Sequence, residues 1–138
     1  MKPIYSIAIF FLAACNFSNQ TEKSQAAWSF KEFVKLDSVN PILIPDTTYT
    51  FDCPVRSEKV QWQSKNVLNP TAFIKDGKVY LLYRAQDSAM TSRLGLAISE
   101  DGIHFTKQAA PIFYPMQDSL KQYEWKGGVE DPRIITTP

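Results

Sequence analysis

Within residues 127–133 the sequence sets two glycines, two acids, a proline and an arginine side by side, as Gly127-Gly128-Val129-Glu130-Asp131-Pro132-Arg133. Such a stretch can hold a carboxylate in one direction. The glycines admit backbone conformations and close approaches that a side chain forbids. Pro132 pushes Asp131 out of the helical region and toward an extended one. Asp131 is then held rigidly, beside Glu130 and Arg133. The same residues also fit a plain surface turn, with Asp131 before proline and Glu130 paired locally with Arg133. Elsewhere the reactive residue types are sparse. Cys53 lies between Asp52 and Pro54 with no base beside it, and reads as a small buried apolar residue rather than a nucleophile. His104 has no second ligand nearby, so no metal is implied.

The elements that must position residues 127–133 are strands. Prolines, β-branched residues and aromatics recur from Trp28 onward, and no long stretch keeps a helical 3,4 pattern, which makes the class all-β. TAFIK and KVYLLYR, within residues 71–84, flank Asp76-Gly77, a strong hairpin turn. Val79, Leu81 and Tyr83 share one face of the second strand. Tyr80 and Leu82 share the other, so this strand is expected to lie between two layers, with Arg84 emerging at its end. A second hairpin is expected from 93–99 and 103–108, joined through Glu100-Asp101-Gly102. Four consecutive antiparallel strands make a meander, the unit of a β-propeller blade.

A repeat ties this unit to the carboxylate stretch. Asn69-Pro70-Thr71-Ala72-Phe73-Ile74 aligns with Asp131-Pro132-Arg133-Ile134-Ile135-Thr136, 62 residues later. In each, a short polar residue precedes proline and then a β-rich run, as expected if one structural position recurs in successive blades. Equivalent loops would converge on the propeller axis and bring Asn69 to Asp131. Asn40-Pro41-Ile42-Leu43-Ile44 repeats the theme weakly. A propeller of four or more blades at about 60 residues each needs roughly 300 residues, so 28–138 is expected to be the incomplete N-terminal part of a longer domain.

The chain has 138 residues, 44% hydrophobic and 21% charged, a globular composition. A formal charge of +1 with scattered lysines and arginines suggests no nucleic-acid partner. Lys2, the apolar run 4–12 and Leu12-Ala13-Ala14-Cys15 have the form of an export signal, too short to cross a hydrocarbon layer of about 30 Å. The closing tetrapeptide resembles the bacterial lipobox. That resemblance implies a lipoprotein signal peptide at 1–14 and lipidation of Cys15, with a bacterial cell-envelope location on a membrane anchor. Residues 15–27 are polar and aperiodic, suited to a tether. With Cys15 lipidated, Cys53 has no disulfide partner.

Taken together, several motifs resemble glycoside hydrolase family 130, the mannoside phosphorylases and related β-mannosidases. They are NPIL at 40–43, VLNPTAFIKDGKVYLLYRA at 67–85, SRLGLAISEDGIHF at 92–105 and GGVEDPRI at 127–134. The resemblance covers the chain from about Pro41 to its end. It implies a five-bladed β-propeller, of which this chain holds roughly the first blade and the start of the second. It makes Asp131 the general acid, which relays its proton through a sugar hydroxyl, and makes Asn69 and Arg84 contacts of the sugar at the cleavage subsite. Arg93 is a further candidate contact. The reaction implied is cleavage of β-mannosidic bonds in mannooligosaccharides, by phosphorolysis with inorganic phosphate as co-substrate or by inverting hydrolysis, with no other cofactor. Hydrolysis needs a second carboxylate and phosphorolysis a cationic phosphate pocket. Glu130, next to Asp131 in an extended segment, is expected to point the other way. Trp62, Tyr123 and Trp125 are candidates for stacking on sugar faces, with core packing the alternative for Trp62. A surface propeller that binds glycans without cutting them, or an inactive truncated product, are the alternatives. Residues 99–105 resemble the Asp-box turn of sialidase propellers, with the glycine one place early, and read as a structural turn.

Overall fold

Alternating apolar residues around the Asp76-Gly77 turn fold into the antiparallel meander that their pattern predicts. A computed structural model of the protein describes residues 33–135 and 137; the signal at 1–14, Cys15 and the tether at 15–27 lie outside the described residues. The described elements are β1 (Phe51–Cys53), β2 (Glu58–Val60), β3 (Asn66–Lys75), β4 (Lys78–Gln86), β5 (Ser92–Ser99), β6 (Thr106–Lys107) and the single helical turn α1 (Lys121–Glu124). All fall in the unit Lys35–Pro138. β1 and β2 form a two-stranded ribbon, and the remaining strands form one sheet in the order β3-β4-β5-β6, every pair antiparallel.

The tight turn between β3 and β4 places Asp76 at φ 49° and Gly77 at φ 74°. Two central residues with positive φ match the right-handed twist of the flanking strands. Between β5 and β6 the Asp101 carboxylate accepts the backbone N–H groups of Ile103 and His104, each at 2.8 Å, and the Ser99 hydroxyl at 2.9 Å. The His104 ring contact at 2.6 Å, followed by these N–H groups and the hydroxyl, holds the Asp101 carboxyl well below the usual carboxylate range. The segment is thus a structural turn. β6 is confined to Thr106 and Lys107, shorter than the expected strand, because 103 and 104 are spent on the Asp101 carboxylate.

One face of β4 and β5 carries the core. Leu81 pairs with Ala97, Tyr83 with Gly95 and Ala85 with Arg93. Phe51, Cys53, Val60 and Trp62 cover these residues from the β1–β2 side, and all of them are buried. The Tyr83 ring stacks on Trp62 with centroids 6.2 Å apart, and its hydroxyl donates to Gln63 Oε1 at 3.1 Å. Burial pushes the Tyr83 phenol well above its usual range. Gly95 has no side chain for a steric reason: a Cβ there would stand 2.4 Å from the Tyr83 ring. Trp62 is fully buried with its indole N–H on Ala109 O at 3.1 Å, so it packs the core instead of facing a ligand.

The other face of the sheet differs from expectation. Phe73 stacks on Tyr80 at 4.9 Å, yet Tyr80 and Leu82 are only half-buried among the described residues. Asn40-Pro41-Ile42 also departs from its expected strand: it lies in irregular chain, and Asn40 uses its amide to cap Leu36 O at 2.9 Å. The run Ile134-Ile135 likewise carries no strand pairing among the described residues.

Candidate active site

The half-buried face of the sheet presents Arg84 and Ser92. Arg84 lies opposite Leu94 and Gln86 opposite Ser92, so all four side chains leave the sheet on the side away from Tyr83 and Trp62. Opposite Arg84 on its other flank, β3 is irregular. Leu68 pairs with Arg84 and Thr71 with Leu82, so Asn69 and Pro70 together face Tyr83 alone. This is a β-bulge, which absorbs a proline that has no N–H for the ladder and turns its neighbour out of line. Asn69 is therefore not in a loop before the strand, as the sequence suggests. It sits within the strand, at φ 44°.

Residues 127–133 reach the same place by pairing with the start of β5. Ser92 N donates to Gly127 O at 2.8 Å, and Val129 N donates to Ser92 O at 3.0 Å. Gly128 lies against Ser92 with φ 90°, where a Cβ would be 2.0 Å from Ser92 O and 2.5 Å from Ser92 N. Only glycine fits. Gly127 has ordinary φ and open space around it, so the two glycines of the motif do different work.

The loop then turns at Asp131, which has φ 46°. This corrects the extended conformation that the preproline rule predicts. The turn is held from outside: the Asn69 amide donates to Asp131 Oδ1, across 62 residues. The repeat between Asn69-Pro70 and Asp131-Pro132 thus extends to the backbone, since both polar residues adopt nearly the same left-handed φ.

The turn has a second consequence. Because Asp131 is not extended, Glu130 does not point away from it. Arg84 Nη2 donates to Glu130 Oε1, and Arg84 Nη1 lies 3.9 Å from Asp131 Oδ1. One guanidinium faces both carboxylates, and the local Glu130–Arg133 pair of the surface-turn reading is replaced; Arg133 donates instead to Pro132 O at 2.9 Å. The Arg84 side chain is 16% exposed while the two acids are 47% and 49% exposed. The cation is thus set into the sheet and the carboxylates form its open side.

Arg93 is not part of this group. It is fully buried on the opposite face of β5, with Nη1 on Asp87 Oδ2 at 2.9 Å and on Thr91 O at 3.1 Å. Its guanidinium lies over the Phe51 ring at 5.1 Å and donates to Cys53 Sγ at 3.6 Å. Asp87 is also fixed by the N–H groups of Ala89 and Thr91, at 2.9 and 3.0 Å. Arg93 therefore braces the turn before β5 from inside the core. Tyr123 is exposed and Trp125 half-buried on the approach to the loop.

Sequence reasoning missed Ser92. Its hydroxyl accepts Arg84 Nε at 2.9 Å and Gln86 Nε2 at 3.2 Å, and lies 3.4 Å from Glu130 Oε1. The strand pairing that sets Ser92 opposite Gln86 is the signal that finds it, and that pairing requires the register of β4 on β5.

An oriented carboxylate, an amide aimed at it and an arginine beside it make a group that can hold polar hydroxyls and exchange a proton with one of them. Known proteins carry related chains. A 1,2-β-oligomannan phosphorylase of Thermoanaerobacter sp. (strain X514) is 37% identical over 93 residues, which cover 61% of this chain and 30% of that protein. A glycosyl hydrolase structure from Bacteroides ovatus is 42% identical with a TM-score of 0.75, over 80% of this chain and 32% of its own. A third relative is 43% identical with a TM-score of 0.76, over 82% of this chain and 33% of its own. Its structure is reported for a family of mannoside phosphorylases containing glycoside hydrolases that target β-1,2 mannosidic linkages in Candida mannan. The chain spans about a third of the length of these relatives. With residues 34–137 matched by the family model described as β-1,4-mannooligosaccharide phosphorylase, the chain belongs to glycoside hydrolase family 130.

Proposed function

We propose that the full-length protein cleaves β-mannosidic bonds in mannooligosaccharides, with Asp131 as general acid and Asn69 and Arg84 holding the sugar at the bond that breaks. The observation that carries this reading is the meeting of Asn69 and Asp131 in one hydrogen bond beside the Arg84 guanidinium. A nucleophile attacks the anomeric carbon from the face opposite the departing oxygen. The carbon–oxygen bond breaks with its electron pair on that oxygen, which takes the proton from Asp131, directly or through a sugar hydroxyl. With inorganic phosphate as nucleophile the product is mannose 1-phosphate; with water it is mannose, and a base takes the second proton. Glu130 is a poor choice for that base, because its carboxylate is already engaged by Arg84 and Ser92.

The meander β3–β6 is, in this reading, the first blade of a five-bladed propeller, and residues 131 onward open the second. The matching φ of Asn69 and Asp131 supports equivalent positions in successive blades. The products decide between the two reactions. Full-length protein incubated with β-1,2- and β-1,4-mannobiose is expected to release mannose 1-phosphate only when phosphate is present, if a phosphorylase, or mannose in its absence, if a hydrolase. Oligosaccharide retained without any product would replace catalysis by capture.

The lipobox-like Leu12-Ala13-Ala14-Cys15 supports a lipid-anchored protein of the bacterial envelope. Labelled palmitate is expected to enter the native protein in cells and to be absent from Cys15→Ser; equal labelling of both would dismiss the anchor.

A further inference from the structure

We propose that Ser92 is a positioning residue that locks the Arg84 guanidinium and the Asp131 loop into one register, acting on bond cleavage through them. The proposal rests on the mannoside-cleaving reading above. Ser92 is fully buried, so its hydroxyl is closed to solvent and to a sugar outside the sheet. Yet each of its polar atoms is engaged with the group around Asp131. Its backbone N–H and carbonyl fix Gly127 and Val129 at 2.8 and 3.0 Å, which sets where the loop enters. Its hydroxyl takes the Nε of Arg84 at 2.9 Å and the Nε2 of Gln86 at 3.2 Å.

Chemistry fixes the direction of these bonds. Arginine Nε and glutamine Nε2 only donate, so the serine oxygen must accept both with its two lone pairs. Its own hydrogen is then left for the Glu130 carboxylate at 3.4 Å. Glu130 in turn receives Arg84 Nη2, so serine, arginine and glutamate close a ring of hydrogen bonds. Gln86 is itself held by Asn66 Nδ2 at 2.8 Å, which ties the ring to β3, the strand that carries Asn69. The guanidinium therefore has Nε fixed by Ser92 and Nη2 by Glu130, leaving Nη1 turned toward Asp131. Without the hydroxyl the ring opens: Glu130 loses its Ser92 contact, and its bond to Nη2 alone no longer fixes the angle of the guanidinium toward Asp131.

The test uses full-length protein with arginine selectively labelled in ¹⁵N, the Arg84 Nε–H resonance being identified by its loss in Arg84→Lys. In the native protein this proton is expected to exchange slowly with solvent. In Ser92→Ala it is expected to exchange at least about tenfold faster, with turnover of mannobiose about 10²-fold lower, as for a misplaced contact. A double-mutant cycle with Glu130→Gln separates this role from a general loss of stability: the pair is expected to cost little more than Ser92→Ala alone, since both act through Arg84. Ser92→Cys, which fills the space but offers a weak acceptor, is the second variant and is expected to move in the same direction. Unchanged exchange of the Arg84 proton, or additive effects in the cycle, would overturn the proposal. Absence of turnover in the native chain would tell against mannoside cleavage alone, and the Arg84 resonance then decides the role of Ser92.

Discussion

Asp131→Asn in the full-length protein is expected to lower turnover of β-mannooligosaccharides by about 10²–10⁴-fold, the usual contribution of a general acid. The substitution is close to isosteric, and its amide oxygen can still accept the Asn69 hydrogen bond that holds the loop. Glu130 continues to neutralise Arg84. Folding and binding of the oligosaccharide should therefore survive while the proton for the departing oxygen is lost. An aryl β-mannoside whose phenolate departs without a proton tests that division of labour. Its turnover is expected to fall far less than that of mannobiose. An equal loss on both substrates would mean that Asp131 binds the sugar and does not protonate it; native rates on mannobiose would remove it from the reaction.

Gly128→Ala is expected to abolish most activity through the backbone. At φ 90° an alanine is strained, by about 1–3 kcal/mol for such a conformation. Its Cβ would also stand 2.0 Å from Ser92 O, the backbone atom of β5 that accepts the Val129 N–H. The loop must move, breaking the bonds of Ser92 to Gly127 and Val129, and a shift of about 1 Å at Asp131 is enough to cost about 10²-fold in rate. Gly127→Ala is the contrast, since nothing lies within 4 Å of its Cβ; stability should change by less than about 0.5 kcal/mol. Thermal melting and initial rates of the two variants check this. A Gly128→Ala protein with native melting and native rate would mean that the approach to Ser92 is not needed.

What the sequence makes legible here is what depends on near neighbours. The Asp76-Gly77 hairpin, the β3–β6 meander and the Ser99–Asp101 turn follow from local alternation and turn chemistry. The meeting of Asn69 with Asp131 was also readable, because a repeated X-Pro step marks equivalent positions. The conformation of Asp131 was not. The preproline preference is a local steric bias, and here the Gly128–Ser92 pairing and the Asn69 amide override it. That error carried a second, since an extended Asp131 would have turned Glu130 away from Arg84. Arg84 and Arg93 read alike in sequence but leave opposite faces of the sheet, because Arg84 is paired with Leu94 and Arg93 with Ala85. Ser92 was invisible for the same reason: it becomes interesting only once Gln86 is known to lie across from it.

The buried pair of Arg93 and Asp87 bears on how β5 finds that alignment. A strand offset by one residue turns every side chain to the opposite face. Here it would carry Arg93 to the side of Arg84, guanidinium beside guanidinium, drop Ser92 among Trp62 and Tyr83, and leave Asp87 buried without its closest cation. Separating a buried ion pair costs about 3–5 kcal/mol, so the offset strand is disfavoured by more than its lost packing. Arg93 thus acts as a key cut for one alignment of β5, and the serine beside it is delivered to the Arg84 face because the arginine can be accommodated only on the other.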